Sequence, residues 1–194
     1  HFMQLYNAGD LPNVKKLADE GVFAKAYITD HDTTTNPGHV TLLTGSGGPD
    51  ICPDDLTVWE EIENWNNSWM TGSIAGKSKF SDTIFPSYVY DDVDYWYASD
   101  VNSNTCADLA IKFVQSYSAS SFFLFVHFRD PDSAGHSYGE NSLQYEDALV
   151  KCDTQIGRVL STLNSQGILN STAIVLTTDH GFMEGGKGHE TPPW

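Results

Sequence analysis

Three short stretches of the chain concentrate groups that can bind a cation or attack an electrophile. The first is Thr33-Thr34-Thr35-Asn36-Pro37-Gly38-His39, running into Val40-Thr41-Leu42-Leu43-Thr44-Gly45. Pro37 and Gly38 sit where a helix would begin. A hydroxyl just before a helix N-terminus lies beside free backbone N–H groups and the positive end of the dipole, an environment suited to a phosphoryl group. Taken alone, Thr35 reads more readily as an N-cap or loop hydroxyl. The second stretch is Arg129-Asp130-Pro131-Asp132-Ser133-Ala134-Gly135-His136. Its Pro and Gly suggest a loop, in which a carboxylate and an imidazole four residues apart can converge on one divalent ion. The third is Thr177-Thr178-Asp179-His180-Gly181, where adjacent Asp and His can both face a site only in a non-regular turn, which Gly181 permits. Gly185-Gly186-Lys187-Gly188-His189-Glu190 adds another imidazole on a flexible loop. Singly, such residues are more often structural or solvated than ligands. Three Asp/His clusters in one chain make coincidence a poor account. An oxygen and nitrogen ligand set without cysteine suits Zn²⁺, and also Mn²⁺ or Fe²⁺.

These stretches need a scaffold, and the hydropathy pattern supplies one. Helices are expected over Leu11 to Glu20, Gly38 to Thr44, Leu56 to Asn64 and Asp108 to Tyr117. The longest is expected over Leu143 to Gln166, where Tyr145, Leu149, Cys152, Ile156, Val159 and Leu163 recur every three or four residues. Strands are expected over Val22 to Ile28, Met70 to Ala75, Phe122 to Phe128 and Ala173 to Thr177. Continuous apolar strands between helices indicate a parallel sheet covered on both faces. In such sheets ligands bind beyond the carboxyl ends of the strands, where two of the three clusters fall. Residues 79–104, rich in Tyr, Trp, Asp and Ser, break the pattern and read as an insertion or lid, or as an ordinary surface excursion. Their aromatics, from Phe85 to Tyr97, would either stack on a flat leaving group or pack on the domain.

Composition narrows the function classes. The 194 residues suffice for one domain with a core. A net charge of -16, with only 10 scattered Lys and Arg, argues against extended nucleic acid as a partner. It leaves room for a small anionic substrate, because bound divalent ions reverse the local field. No apolar run reaches the length of a membrane span. Cys52, Cys106 and Cys152 match no metal motif. They leave one disulfide plus a thiol, or three thiols, open. Two glycosylation-type triplets, at Asn66 and Asn170, are weak signals. An extracytoplasmic or secreted location is the favoured reading. The ends, at His1 and Trp194, read as those of a processed product or fragment.

Taken in order and spacing, Thr35-Asn36-Pro37-Gly38-His39 with Leu43-Thr44-Gly45, then Asp130-Pro131-Asp132-Ser133-Ala134-Gly135-His136, then Thr178-Asp179-His180-Gly181 resemble the alkaline phosphatase superfamily. The resemblance is to its type I phosphodiesterase/nucleotide pyrophosphatase branch and runs from Leu11 through His189. It implies an α/β three-layer sandwich with a mostly parallel central sheet, forming a single catalytic domain over 1–194. It implies Thr35 as nucleophile and ligand of a first metal whose shell includes Asp179 and His180. Asp132, His136 and His189 would hold a second metal, and the Asn36 backbone N–H would help bind phosphoryl oxygens. Lys77 is a candidate outer contact or a surface lysine. The family also carries a metal-binding Asp at the end of its first strand. This chain begins after that strand, and Asp30 and Asp32 do not match the motif. The implied function is metal-dependent hydrolysis of a small phosphate ester, either a phosphodiester or a nucleotide pyrophosphate bond, with two divalent ions. The alternatives are a phosphomonoesterase, a phosphonate hydrolase, a phosphotransferase, a sulfatase-like hydrolase or a non-catalytic metal-binding remnant. Oligomeric state is left open.

Overall fold

The computed structural model describes residues 1–24, 34–48, 51 and 55–189. At its centre is a three-stranded, all-parallel sheet of β1 (Met70–Ala75), β2 (Tyr95–Ala98) and β3 (Phe122–His127), in the order β2-β1-β3. The central strand β1 sets both registers. Gly72 stands opposite Leu124 on one side and Tyr95 on the other.

Helices cover both faces, which is why the strands read as unbroken apolar runs. On one face Ala75, Trp96, Ala98, Phe123 and Phe125 meet Val40 and Leu43 of α3 (Thr35–Thr44), and Trp59 of α4 (Val58–Asn66). Phe80 and Phe85, both fully buried, complete that layer. On the other face Ile74, Leu124 and Val126 pack against Cys106 and Ala110 of α6 (Ser103–Tyr117) and Val159 of α8 (Leu143–Ser165). The remaining helices are α1 (Phe2–Ala8), α2 (Pro12–Glu20), the single turn α5 (Ser87–Tyr90) and α7 (Asp130–Tyr138). Among the described residues no helix is long and apolar enough to cross a membrane.

Side-chain capping accounts for several of the helix starts. Thr57 and Glu60 form a reciprocal capping box at α4, and Asn102 Oδ1 accepts from Thr105 N (3.0 Å) at α6. That cap starts α6 ahead of the expected Asp108. The start of α2 is capped from a distance. Asp153 on α8 accepts from Asn13 N (3.0 Å) and Val14 N (2.8 Å), so a buried carboxylate meets the positive end of the helix.

Several expectations need correction. Asp130 to His136 is helix α7, because Pro131 suits a first turn and needs no N–H there. Helix α3 begins at Thr35, so Thr35 is its first residue, with Thr34 as N-cap. Ala173 to Thr177 pairs with no described strand. Extended backbone becomes a strand only beside a partner, and Val175 is 87% exposed. Val22 to Ala24 likewise joins no described ladder, and residues 25–28 of that expected strand lie outside the described residues. Within 79–104, Tyr95–Ala98 is an edge strand of the sheet, and Phe85 and Trp96 pack on Trp59. Cys106 and Cys152 are buried free thiols, and Cys52 lies outside the described residues.

Candidate active site

The chemistry gathers at the carboxyl edge of the parallel sheet, where β1 leads to Gly76-Lys77 and β3 leads into α7. Helix α3 presents its first turn to the same edge. Thr35 is buried, and its Oγ1 lies 3.5 Å from His180 Nε2. His180 Nε2 is also 3.2 Å from Asp179 Oδ2 and 3.5 Å from Asp132 Oδ1. The His180 Nδ1–H donates to Gly181 O (3.3 Å), which leaves the lone pair on Nε2. A lone pair facing two carboxylate oxygens and a hydroxyl is a site for a cation. Burial holds the His180 pKa below the ordinary histidine value, against the pull of Asp179 and Asp132.

The second cluster is built on α7. Asp132 and His136 stand one turn apart, with His136 Nε2 3.3 Å from Asp132 Oδ1. His189 Nε2 is 3.0 Å from His136 Nε2. One ligand atom from each of Asp132, His136 and His189 lies within 4.8 Å of the others. His136 Nδ1–H donates to Lys187 O (2.8 Å), which turns its Nε2 toward the cluster. Asp132 Oδ1 is buried and accepts no hydrogen bond. Converging imidazole lone pairs and an orphaned carboxylate oxygen fit a divalent ion, and the donor set suits zinc. The other oxygen of Asp132 accepts from Lys77 Nζ (2.7 Å). Burial pushes the Asp132 carboxyl up, but Lys77 with His136 and His180 outweighs it, so the pKa lies below the usual carboxylate value.

The structure thus brings Thr35, Asp132, His136, Asp179, His180 and His189 into one connected cluster, with His180 as the junction. Asn36 follows Thr35 in the first turn of α3, and its Oδ1 accepts from Lys79 Nζ (3.4 Å). Asp30 and Asp32 lie outside the described residues. The aromatics of 79–104 do not line the cavity of about 600 Å³ beside Thr35.

Sequence reasoning overlooked His39, Lys79 and Arg129. His39 is 2% exposed, one turn after Thr35. Its Nδ1 lies 2.7 Å from Thr35 O and 3.3 Å from Asp179 Oδ2. Two acceptors on one side place the proton on Nδ1, so His39 fixes the turn that carries Thr35 against Asp179. The i, i+4 spacing from Thr35 was the available signal.

A sequence model of the family described as type I phosphodiesterase / nucleotide pyrophosphatase matches residues 60–191. Ectonucleotide pyrophosphatase/phosphodiesterase family member 7 from Rattus norvegicus is 24% identical over 89% of this chain and 46% of the relative. Bis(5'-adenosyl)-triphosphatase enpp4 from Mus musculus is 23% identical over 92% of the chain and 44% of the relative. GPI ethanolamine phosphate transferase 1 from Candida glabrata is 29% identical over 74% of the chain and 15% of the relative. The chain spans less than half the length of these curated relatives. A family match over most of the chain, on an α/β fold with a parallel sheet, makes this chain a member of the type I phosphodiesterase/nucleotide pyrophosphatase family.

Proposed function

We propose that this chain carries the centre of a metal-dependent phosphate-ester hydrolase that cleaves a phosphodiester or nucleotide pyrophosphate bond through Thr35. The observation that carries the reading is the meeting of the Thr35 hydroxyl with Asp132 and Asp179 around the His180 Nε2 lone pair. The relatives' names, which describe phosphodiesterase, pyrophosphatase, triphosphatase and phosphate transferase, support phosphorus over sulfur as the reacting centre. Asp132, His136 and His189 would hold one divalent ion, and Thr35, Asp179 and His180 would contribute to a second. When bound, such ions, most suitably Zn²⁺, supply positive charge against the phosphoryl oxygens and favour the ionised hydroxyl.

The residues of the chain then divide the work. Thr35 Oγ1, held by the α3 first turn, attacks phosphorus in line. The hydroxyl proton is lost to solvent, and the Oγ1–P bond forms as the P–O bond to the leaving group breaks. The leaving group departs with the bonding pair and takes up a proton from water as its basicity requires. Water then breaks the threonyl–phosphorus bond and restores the hydroxyl. The N-terminal N–H groups of α3, including that of Asn36, lie next to Thr35 and suit the phosphoryl oxygens. His39 holds Thr35 in place through its carbonyl.

Replacing Thr35 with Ala is expected to abolish turnover of a phosphodiester while the metal content measured by elemental analysis stays within about twofold, because one of several ligands is lost. Undiminished turnover would sink the nucleophile assignment. A release assay offering a phosphodiester, a phosphomonoester and a sulfate ester separates the reactions available to this site, and preference for the sulfate would overturn the proposal.

A further inference from the structure

In a chain of net charge -16, three of the ten Lys and Arg residues line the cavity beside Thr35. Lys77 and Lys79 come from the turn after β1, and Arg129 from the end of β3, so the parallel sheet delivers all three to the same edge. Two of them are matched. Lys77 Nζ pairs with Asp132 Oδ2 (2.7 Å), and Arg129 Nη1 pairs with Asp100 Oδ1 (2.7 Å). Lys79 differs. Among the described residues its hydrogen-bond partner is the Asn36 amide oxygen (3.4 Å), a neutral group one residue from Thr35. Lys79 is a partly buried ammonium near a second lysine, and Asp132 and Asp179 act on it only from beyond salt-bridge range, so an anion arriving from solution would find an unmatched cation at the cavity wall.

The reacting phosphoryl does not need this cation. A diester carries a single negative charge, which the α3 N-terminus, together with divalent ions when bound, would already offset. We propose that Lys79, backed by Lys77 and Arg129, forms an anion subsite that recognises a second negatively charged group on the substrate, a phosphate or a carboxylate, beside the reacting phosphoryl. The inference rests on the phosphoester reading of the site. It adds a specificity-determining residue and narrows the substrate class to phosphoryl compounds bearing two anionic groups.

Equilibrium binding to the zinc-loaded chain tests it with two matched ligand pairs, ADP against AMP and phosphoglycolate against ethyl phosphate. Binding of the member with two separate anionic groups in at least one pair is expected to be about tenfold tighter, the strength of one charge-assisted hydrogen bond. Preference in the first pair names a phosphate as the second group, and preference in the second pair names a carboxylate. Lys79→Met should erase the preference and Lys79→Arg should restore most of it, while AMP and ethyl phosphate bind as before. Equal affinity within both pairs overturns the proposal. So does an equal loss for all four ligands in Lys79→Met, which would place Lys79 on the reacting phosphoryl. Turnover is read separately. If no ester is hydrolysed but the Lys79-dependent preference persists, the hydrolase reading fails and the anion subsite stands.

Discussion

Asp132 and His136 stand one turn apart on a nine-residue helix, whereas Asp179, His180 and His189 come from a stretch with no described helix or ladder after Thr172. The two groups nevertheless meet within hydrogen-bonding distances. Helix α7 holds its ligands by internal geometry, so their spacing is fixed before anything docks on it. The later stretch gets its shape from what it leans on. Phe182 packs on His136 and Tyr145, Gly185 N donates to Glu140 Oε2 (3.1 Å), and Lys187 Nζ donates to Ser137 O (2.7 Å). One half of the site is therefore set locally and the other by tertiary contact, and substitutions at the contacts should separate them.

The largest effect is expected at Gly38. A Cβ there would lie 2.5 Å from Asp179 O, a backbone atom that cannot swing aside. Alanine favours the α3 helix by about 1 kcal/mol, which offsets only part of an overpacking cost of about 1–3 kcal/mol, so Gly38→Ala should lower Tm by a few degrees. It should displace Asp179 and cost about 100-fold in turnover, the scale of a 1 Å misplacement. Turnover equal to the parent chain would show that the close approach is unnecessary. His39→Phe comes next. It removes the N–H that bridges Thr35 O and Asp179, and zinc affinity at the Thr35/Asp179/His180 position should fall about tenfold, as for other groups that orient metal ligands. A two-site zinc titration reads this directly: the Asp132/His136/His189 site should keep its affinity, and weakening of both sites alike would refute the division.

Gly135→Ala probes the α7 side. The new methyl would meet the Phe182 ring at 2.5 Å, but a ring can shift where a backbone carbonyl cannot. Overpacking of about 1–3 kcal/mol, offset by roughly 1 kcal/mol of helix propensity, should lower Tm by a few degrees and loosen His189. The smallest effect concerns acid stability. Burial holds His39 and His127 below the ordinary histidine pKa of 6.5, with Asp179 pulling His39 the other way and His39 pushing His127 further down. Below about pH 6.5 the unfolded chain takes up protons that the folded chain refuses, so stability falls as pH falls, by at most about 1.4 kcal/mol per pH unit for each group. His127 Nδ1 is shielded and makes no hydrogen bond, with Phe80 beside the ring. His127→Phe should flatten the slope measured by denaturant titration, and an unchanged slope would remove His127 from the account.

Much of the scaffold was legible in the sequence because its periodicity is long and consistent. Helix α8 repeats apolar residues over 23 positions, and β3 is apolar along nearly its whole length. What escaped has local causes. Pro131 and Gly135 look like loop residues, yet Pro131 occupies the first turn of α7 and Gly135 makes room for Phe182. Strand β2 has only four residues, too few for periodicity to show. Ala173 to Thr177 has strand composition, but a ladder depends on a neighbour that composition does not reveal. The proposed ligands were legible because their types are chemically distinctive. Lys79 was not, because its meaning comes from the cavity it lines and from the distance that keeps Asp132 and Asp179 out of salt-bridge range of it.

The central position of β1 also bears on folding order. Its partners begin at Tyr95 and Phe122, and a parallel pairing cannot be made by a tight hairpin. The chain must close long loops before either ladder yields stabilisation, so non-local search governs the rate. Lys77, Lys79, Arg129 and α7 all hang from the ends of these strands. They reach one another only after β2, β1 and β3 have aligned, and Asp179 can settle against Gly38 only after α3 has docked on the assembled sheet. Chelating competence is therefore expected to emerge late in refolding, behind the recovery of helical signal from α6 and α8.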